Sequence, residues 1–322
     1  MKNKKILVLG GTRFFGREVV IQLLSTGHQV TVSSRNPQNC PKGALMVAGE
    51  RAECLKMLRG HRFDLTVDLT SDAQTGPERV FGLLDPGDYV LISSTWVNRL
   101  ALGVEADQSV RELGSAKPDN MLDATYRYLQ HKLRAEEAVE RLRLSGKPAT
   151  TLRSPIIWGQ GDHTRRLQFY RHRMADQSSL ILVDGGSNRA QIVWSKDAAR
   201  VISMWITTSE VSSRLIWELL PDSGVTVKSI IDEIADVAKL EPHYVSLSKR
   251  QLSNGLPEYL VSEPLWRETS LRPTGSNLFQ NMGINPSKIS DWSRHVCGEA
   301  PTPYEVLLRQ RELQYLGGLK AA

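Results

Sequence analysis

Short, mainly apolar runs alternate with amphipathic segments through much of the chain. Residues 5–9, 64–69 and 88–93 have the length and composition of strands that are buried on both faces. Residues 16–27 and 225–238 instead repeat apolar side chains at helical spacing, and Thr226 is a suitable residue to open the second of these helices. Strands that alternate with helices predict an α/β fold with a doubly wound parallel sheet.

A glycine-containing turn follows the first predicted strand. Gly10, Gly11 and Gly16 stand between residues 5–9 and the predicted helix. Glycines in this position let the backbone approach a pyrophosphate, which the free N–H groups and positive end of the helix can bind. An ordinary strand-to-helix turn also uses glycine, but the placement directly after a buried strand favours a dinucleotide site.

A tyrosine and a lysine with helical spacing are the main candidates for chemistry. Tyr128 and Lys132 lie four residues apart and therefore share one face of a predicted helix. A free phenol has a pKa of about 10, and a neighbouring ammonium favours its ionised form. Ser94, at the end of strand 88–93, can then hold a substrate oxygen while Tyr128 moves a proton and a nicotinamide exchanges a hydride. Such a pair alone more often belongs to a solvated helix face, so the glycine turn and Ser94 are needed for this interpretation.

Several ordered motifs carry a resemblance to a known family. Residues 90–97 are similar to a strand that ends in Ser-Ser-x-x-Val, residues 151–162 to a Leu-Arg segment before a Gly-x-Gly-Asp turn, and residues 193–199 to a later entry into a helix. The chain thereby resembles the extended short-chain dehydrogenase/reductases of the NAD-dependent epimerase/dehydratase type. The resemblance implies a Rossmann domain and a smaller mixed α/β substrate-binding domain. It also implies that Ser94, Tyr128 and Lys132 are catalytic.

The resemblance extends to domain boundaries and to binding residues. It implies a dinucleotide-binding domain in residues 1–154, to which residues 190–222 return, and a substrate-binding domain in residues 155–189 and 223–322. The residues expected to bind the cofactor are Gly10, Thr12, Arg13, Phe14, Phe15, Gly16, Ser34, Arg35, Glu50, Ser154 and Ile156. Those expected to bind substrate are Thr95, Trp96, Arg165 and Arg189.

Departures from the family pattern favour NADP(H) over NAD(H). Arg13 stands where the family has its middle glycine, and the second strand ends in Ser34 and Arg35 without the acid that accepts the ribose 2′-hydroxyl of NAD. Two guanidinium groups are suited to a 2′-phosphate. NAD(H) stays the alternative, because Arg35 can be a surface cation and Arg13 a residue that merely starts a helix.

Other departures concern the substrate. Ala190 stands where many nucleotide-sugar enzymes have an arginine that holds the diphosphate, and Arg189 is one place away, which on a strand places it on the opposite face. Thr95 and Trp96 replace the Asp-Glu pair of the sugar dehydratases. We therefore expect an NADP(H)-dependent ketone or alcohol reductase that acts in biosynthesis on a sugar, aminosugar or similar polyhydroxylated metabolite. A nucleotide-sugar epimerase with recycled NAD is the first alternative.

Charge and composition leave a second alternative open. The formal net charge is +6, and basic residues gather within residues 163–173. They can attract an anionic substrate, form a solvated helix face, or make the chain an RNA-binding protein on the same fold, although few aromatic residues are interleaved for stacking.

No apolar run approaches the about 20 residues of a membrane span, so a cytoplasmic protein is expected. Cys40, Cys54 and Cys297 lack metal-ligand spacing, so no metal is expected, and the oligomer is left open with a homodimer as one alternative.

Overall fold

The computed structural model describes residues 3–71, 76–99, 123–208, 211–221, 224–248, 276–296 and 299–321. The chain divides into two compact units. The first comprises Met1–Ile157, Ser195–Leu220 and Leu271–Asn285, and the second comprises Trp158–Trp194, Pro221–Ser270 and Pro286–Ala322. No helix among the described residues combines the length and the apolar character that crossing a membrane requires.

One parallel sheet forms the centre of the first unit. Its strands are β1 (Lys5–Leu9), β2 (Gln29–Ser34), β3 (Leu45–Ala48), β4 (Leu65–Asp68), β5 (Asp88–Ser94), β6 (Ala149–Ser154), β11 (Ile216–Glu218) and β14 (Ser276–Asn277). They lie in the order 3-2-1-4-5-6-11-14, and every pair is parallel. The order reverses between β1 and β4, which is where ligands bind in open α/β sheets. The predicted doubly wound parallel sheet is confirmed.

Helices cover both faces of this sheet. They are α1 (Phe14–Ser25), α2 (Arg51–Met57), α3 (Pro77–Leu83), α4 (Asp123–Leu144), α6 (Ser195–Trp205) and α8 (Leu278–Asn281), with short 3-10 helices at Pro37–Asn39 and Thr95–Arg99. Helices α1 and α6 pack against each other. Side chains from α2, α3 and α4 join Leu7, Leu9, Tyr89 and Leu91 of the sheet in one buried cluster. The alternating side chains of a strand explain how residues such as Leu7 and Leu9 share this face.

The second unit is mixed α/β. It contains α5 (Arg166–Ala175), α7 (Val227–Ala238), α9 (Ile289–Trp292) and α10 (Pro303–Ala321), with 3-10 helices at Asp184–Gly186 and Ser293–Val296. Strands β8 (Ser179–Val183) and β13 (His243–Leu247) pair in parallel, and β9 (Arg189–Ala190) and β12 (Val225–Thr226) pair antiparallel. Two further short strands are β7 (Ile156–Trp158), which contains the boundary of the units, and β10 (Ile192–Trp194).

Polar contacts fix the helices of the second unit. Thr226 caps α7 by accepting a hydrogen bond from the Ser229 amide at 3.1 Å, which confirms that Thr226 opens this helix. Helix α10 is joined to α5 and to the residue after it by ion pairs. Arg173 Nε lies 2.8 Å from Glu312 Oε2, and Arg309 Nε lies 2.6 Å from Asp176 Oδ2. The prediction that this unit binds substrate stays a prediction.

Candidate functional site

The glycine turn brings the start of α1 close to the ends of β1 and β4. Gly10 has a φ of +98° and donates its amide to the Ser33 carbonyl at 2.8 Å. A Cβ at Gly10 would clash with Thr70 Cγ2, and a Cβ at Gly16 would stand 2.5 Å from the Gly10 carbonyl oxygen. Both positions therefore require glycine, so that the backbone itself forms the surface of the turn at the point where the strand order reverses.

The positive end of α1 is available to an anion. Arg13 occupies the N-cap position without making a side-chain cap, and the first turn of the helix contains no acidic residue. Phe14 follows with a φ of 41°, a left-handed conformation that costs an L-residue about 1–2 kcal/mol. Phe15 is buried, and the buried Thr12 joins the turn to the end of β2 through a 2.6 Å hydrogen bond between its Oγ1 and Ser34 Oγ. An external phosphate can satisfy the helix amides.

Two arginines lie near the end of β2. Arg13 is exposed and donates from Nη2 to Asn36 Oδ1 at 2.9 Å. Arg35 Nη1 lies 3.8 Å from Glu50 Oε1, and these two side chains are 70% and 67% exposed. Ion pairs between such exposed groups contribute about 0–1 kcal/mol, so Arg35 can exchange Glu50 for a better anion at little cost.

The predicted catalytic lysine is anchored to the strand that carries Ser94. Lys132 Nζ donates to the Ile92 carbonyl at 3.0 Å and lies 5.9 Å from the centroid of the Tyr128 ring. Tyr128 is 44% exposed, whereas Ser94 is buried at the end of β5 and accepts a 3.2 Å hydrogen bond from the Trp96 amide. The structure therefore places Lys132 next to Tyr128 and bonds it to Ile92, which stands two residues before Ser94 in β5.

Packing and hydrogen bonds hold the neighbouring predicted residues at the same edge of the sheet. Thr95 is buried and Trp96 is partly buried, in the 3-10 helix whose Val97 packs against α4. Ser154 is the register partner of Ser94 and donates from Oγ to the Ser93 carbonyl at 3.0 Å. Ile156, also buried, begins β7 two residues later.

Burial and charged neighbours together shift the pKa of Lys132. Burial is the largest influence and lowers the pKa of its ammonium, and the positive charge of Arg51 acts in the same direction. The carboxylates of Asp68 and Glu136 oppose this effect without cancelling it, so the pKa of Lys132 lies below its usual value. A cation held in this way stabilises a phenolate at Tyr128.

The predicted substrate-binding arginines lie in the second unit and already have partners. Arg165 donates to Glu305 Oε1 at 2.8 Å and to Glu299 Oε2 at 2.5 Å. In β9, Ala190 is buried and Arg189 is exposed, as the one-residue offset predicts, and Arg189 donates to the Gly224 carbonyl at 2.5 Å. Their roles toward a substrate stay predictions.

Ion pairs also change the interpretation of the basic segment 163–173. Besides Arg165, Arg166 lies 3.5 Å from Asp162 and Arg173 lies 2.8 Å from Glu312. These three cations face carboxylates rather than forming an unopposed positive surface. They account for part of the positive charge of the segment, and the RNA-binding alternative stays a prediction.

Sequence reasoning missed a row of buried charges in the first unit. Asp68 and Glu218 are fully buried, and Glu136 and Arg153 are nearly so. Arg153 donates to Glu136 from Nε and Nη2, the latter at 2.6 Å, and Arg51 donates to Asp68. The sequence does contain one indication of these pairs, namely ionisable residues within strands that are otherwise apolar. Such residues are almost never fully buried unless they have a partner.

Comparisons with known proteins give matches among solved structures. No protein-family model and no curated protein matches this chain. A dTDP-glucose 4,6-dehydratase from Bacillus anthracis in complex with NAD is 12% identical, with a TM-score of 0.62 over 91% of this chain and 94% of that one. A UDP-N-acetylglucosamine 4-epimerase from Methanobrevibacter ruminantium, in complex with UDP-N-acetylmuramic acid, is 15% identical, with a TM-score of 0.61 over 92% and 97%.

A further match is RMD from Pseudomonas aeruginosa complexed with NADPH. It is 16% identical, with a TM-score of 0.58 over 91% of this chain and 98% of that chain. Similarity at such low identity shows architecture, because one fold can serve many functions. The chain has the fold of the extended short-chain dehydrogenase/reductases, as the sequence motifs predict.

Proposed function

We propose that this chain is an NADP(H)-dependent oxidoreductase of the extended short-chain dehydrogenase/reductase type. In this proposal it interconverts a ketone and an alcohol on a sugar, an aminosugar or a similar polyhydroxylated metabolite. The observation that carries it is the position of Lys132, which lies one helical turn from Tyr128 and bonds to the carbonyl of Ile92. Ile92 stands in β5 two residues before Ser94. A solvated helix face would leave the lysine side chain in water.

The residues around the glycine turn fit a dinucleotide. Gly10 and Gly16 keep side chains out of the turn, and the uncapped end of α1 suits a pyrophosphate. Arg13 and Arg35 suit a 2′-phosphate, since both are exposed and Arg35 is only weakly paired. The bound nicotinamide would supply or accept the hydride. Among the structures of similar fold, the dehydratase is in complex with NAD and RMD is complexed with NADPH, so the fold agrees with either cofactor. The preference for NADP(H) in this proposal rests on Arg13 and Arg35.

The proton steps follow from the catalytic side chains. Ser94 Oγ accepts from the Trp96 amide, so its own hydroxyl proton can be donated to the substrate oxygen. In the direction of reduction, the neutral Tyr128 phenol protonates the oxygen that becomes an alcohol. The charge of Lys132, which is held beside the ring, stabilises the phenolate that remains. Oxidation uses the same groups in reverse.

A nucleotide-sugar epimerase fits the architecture equally well. The similar structures include several epimerases, and one of them is in complex with UDP-N-acetylmuramic acid. The burial of Ala190 and the bond from Arg189 to the Gly224 carbonyl favour a substrate recognised without a diphosphate-binding arginine at this position. Net consumption of NADPH separates the two candidates, because an epimerase returns its cofactor unchanged in each turnover.

The catalytic assignment can be tested by substitution. Tyr128→Phe should lower kcat by a factor of about 10² to 10⁴ and leave NADPH affinity unchanged, because it removes only the proton donor. Lys132→Ala should reduce both turnover and cofactor binding. Tyr126→Phe is the matched control, since Tyr126 lies on the same helix and packs against the cluster of Val97 and Leu129. Full turnover by Tyr128→Phe, scored on a panel of ketosugars and UDP-, GDP- and dTDP-sugars, would refute the assignment.

A further inference from the structure

Asp68 occupies an unusual place in the sheet. It is the last residue of β4, is fully buried, and has Leu91 of β5 as its register partner. Paired residues of parallel strands point to the same face, and Leu91 belongs to the cluster under α2 and α4. A carboxylate therefore stands on the sheet face that α4, the helix of Lys132, covers.

Three side-chain contacts and one backbone contact fix this carboxylate. Arg51 donates from Nη1 to Oδ1 at 2.8 Å and from Nη2 to Oδ2 at 2.5 Å, a bidentate arrangement that sets the plane of the group. Tyr89 Oη donates to Oδ2, and the Thr70 amide donates to Oδ1 at 3.1 Å. Burial and Asp68 raise the pKa of Tyr89 well above its usual value, so the phenol stays a donor.

Lys132 lies at the same level of the sheet. Its Nζ bonds to the carbonyl of Ile92, the residue after Leu91, which is the partner of Asp68. Arg51, in α2, bonds to Asp68 itself, and Lys132, in α4, bonds one residue beyond the register partner of Asp68. Glu136 follows Lys132 one turn later on the same helix and accepts a hydrogen bond from Arg153 of β6. Glu218 of β11 is in turn the register partner of Arg153. Positive and negative groups thus alternate from Arg51 to Glu218.

We propose that Asp68 is a positioning residue for Lys132, with its carboxylate fixed by Arg51 and Tyr89 so that it keeps the lysine ammonium charged and in place at the end of β5. The inference rests on the proposed function, in which Lys132 is catalytic. An ammonium group shielded from water is costly unless a negative charge compensates it, and Asp68 supplies that charge from the sheet. Without Asp68, the lysine would lose its proton or turn toward solvent, and either change removes the cation from Tyr128.

The pKa of Lys132 can be followed directly in the full-length chain. Protein made with ¹³C-labelled lysine is titrated by NMR, and the Lys132 signal is assigned by its loss in Lys132→Arg. Asp68→Asn should lower this pKa, because a compensating charge is removed. Arg51→Met should raise it, because a repelling charge is removed while Tyr89 and the Thr70 amide still hold Asp68. A purely structural role predicts no such pair of opposite shifts.

Asp64→Asn is the matched control. Asp64 is exposed and immediately precedes β4, four residues from Asp68. At the rise of a β-strand this is a separation of about 13 Å, which is beyond the screening length in physiological salt. The control should leave the pKa of Lys132 unchanged. An unchanged pKa in Asp68→Asn, or an equal shift in Asp64→Asn, would overturn the inference.

Two further readouts keep the test decisive. If Asp68→Asn does not fold, the double variant Arg51→Met/Asp68→Asn takes its place, because removing both partners of the buried ion pair leaves no uncompensated charge. Its Lys132 pKa must lie below that of Arg51→Met, and an equal value overturns the inference. Turnover separates this inference from the proposed function. Opposite pKa shifts in a protein that turns over no substrate on the panel would support the link from Asp68 to Lys132 and reject the function. Loss of turnover in Tyr128→Phe with no shift of the Lys132 pKa in Asp68→Asn would support the proposed function and overturn the inference about Asp68.

Discussion

The buried pair of Glu136 and Arg153 should make a large and measurable contribution to stability. The two side chains are 4% and 3% exposed, and Arg153 donates to the carboxylate at 2.6, 3.1 and 3.2 Å. Removing one partner leaves the other charge buried without compensation, which costs about 3–5 kcal/mol. For a cooperative unit of about 150–250 residues this lowers Tm by about 6–20 °C. Glu136→Gln and Arg153→Met are therefore each expected to unfold far more easily than the unmodified chain.

A double-mutant cycle measured by urea unfolding isolates the pair. Glu136→Gln, Arg153→Met and their combination should give a coupling free energy of at least about 2 kcal/mol. Arg62 and Asp85 provide the control, because they form a 2.9 Å ion pair with side chains 85% and 54% exposed. That pair should couple by less than about 1 kcal/mol. A coupling for Glu136 and Arg153 no larger than that of the exposed pair would refute the reasoning.

Cofactor choice and acid sensitivity give two more predictions. By calorimetry, the unmodified chain should bind NADPH more tightly than NADH, the preference should weaken with salt, and Arg35→Ala or Arg13→Ala should reduce it, whereas equal affinities would contradict the proposal. Burial alone would raise the pKa of Asp176, but bonds from Arg309 and the Ser178 amide bring it below its ordinary value of 3.8. A lowered folded-state pKa means stability that is present above pH 3.8 and lost as the pH falls below it. The hydrogen-exchange protection factors of the α10 amides, which are corrected for the intrinsic rate at each pH, should therefore fall on acidification, and Arg309→Ala should remove this dependence on pH.

The local features of the fold could be predicted from the sequence. Apolar runs predicted β1, β4 and β5, the Thr226 hydroxyl predicted the cap of α7, and period-two alternation predicted that Ala190 and Arg189 would differ in burial. Each of these depends on neighbours within a few residues. The helix predicted from residue 16 begins at Phe14 instead, where a left-handed φ departs from ordinary propensity.

The missed features depend on residues that are far apart in the chain. Arg165 meets Glu299 and Glu305 more than 130 positions away. Arg51 meets Asp68 only because α2 packs on the sheet face to which Asp68 belongs. Hydrophobic periodicity contains no information about such pairings. An unpaired arginine and a paired one look alike in a sequence, which is why the basic segment suggested a free positive surface.

The last strand of the first unit has a consequence for synthesis of the chain. β14 pairs with β11 although some 57 residues separate their nearest ends, counted from Glu218 to Ser276. While the ribosome is still making those residues, β11 presents an open row of backbone donors and acceptors, the kind of edge on which other chains add strands. Nascent chains are thus most vulnerable to aggregation in this interval, and a chaperone that acts on this protein should be needed chiefly then. Deleting Ser276 and Asn277 would prolong the exposure indefinitely, and would be expected to shift the expressed protein from the soluble to the aggregated fraction.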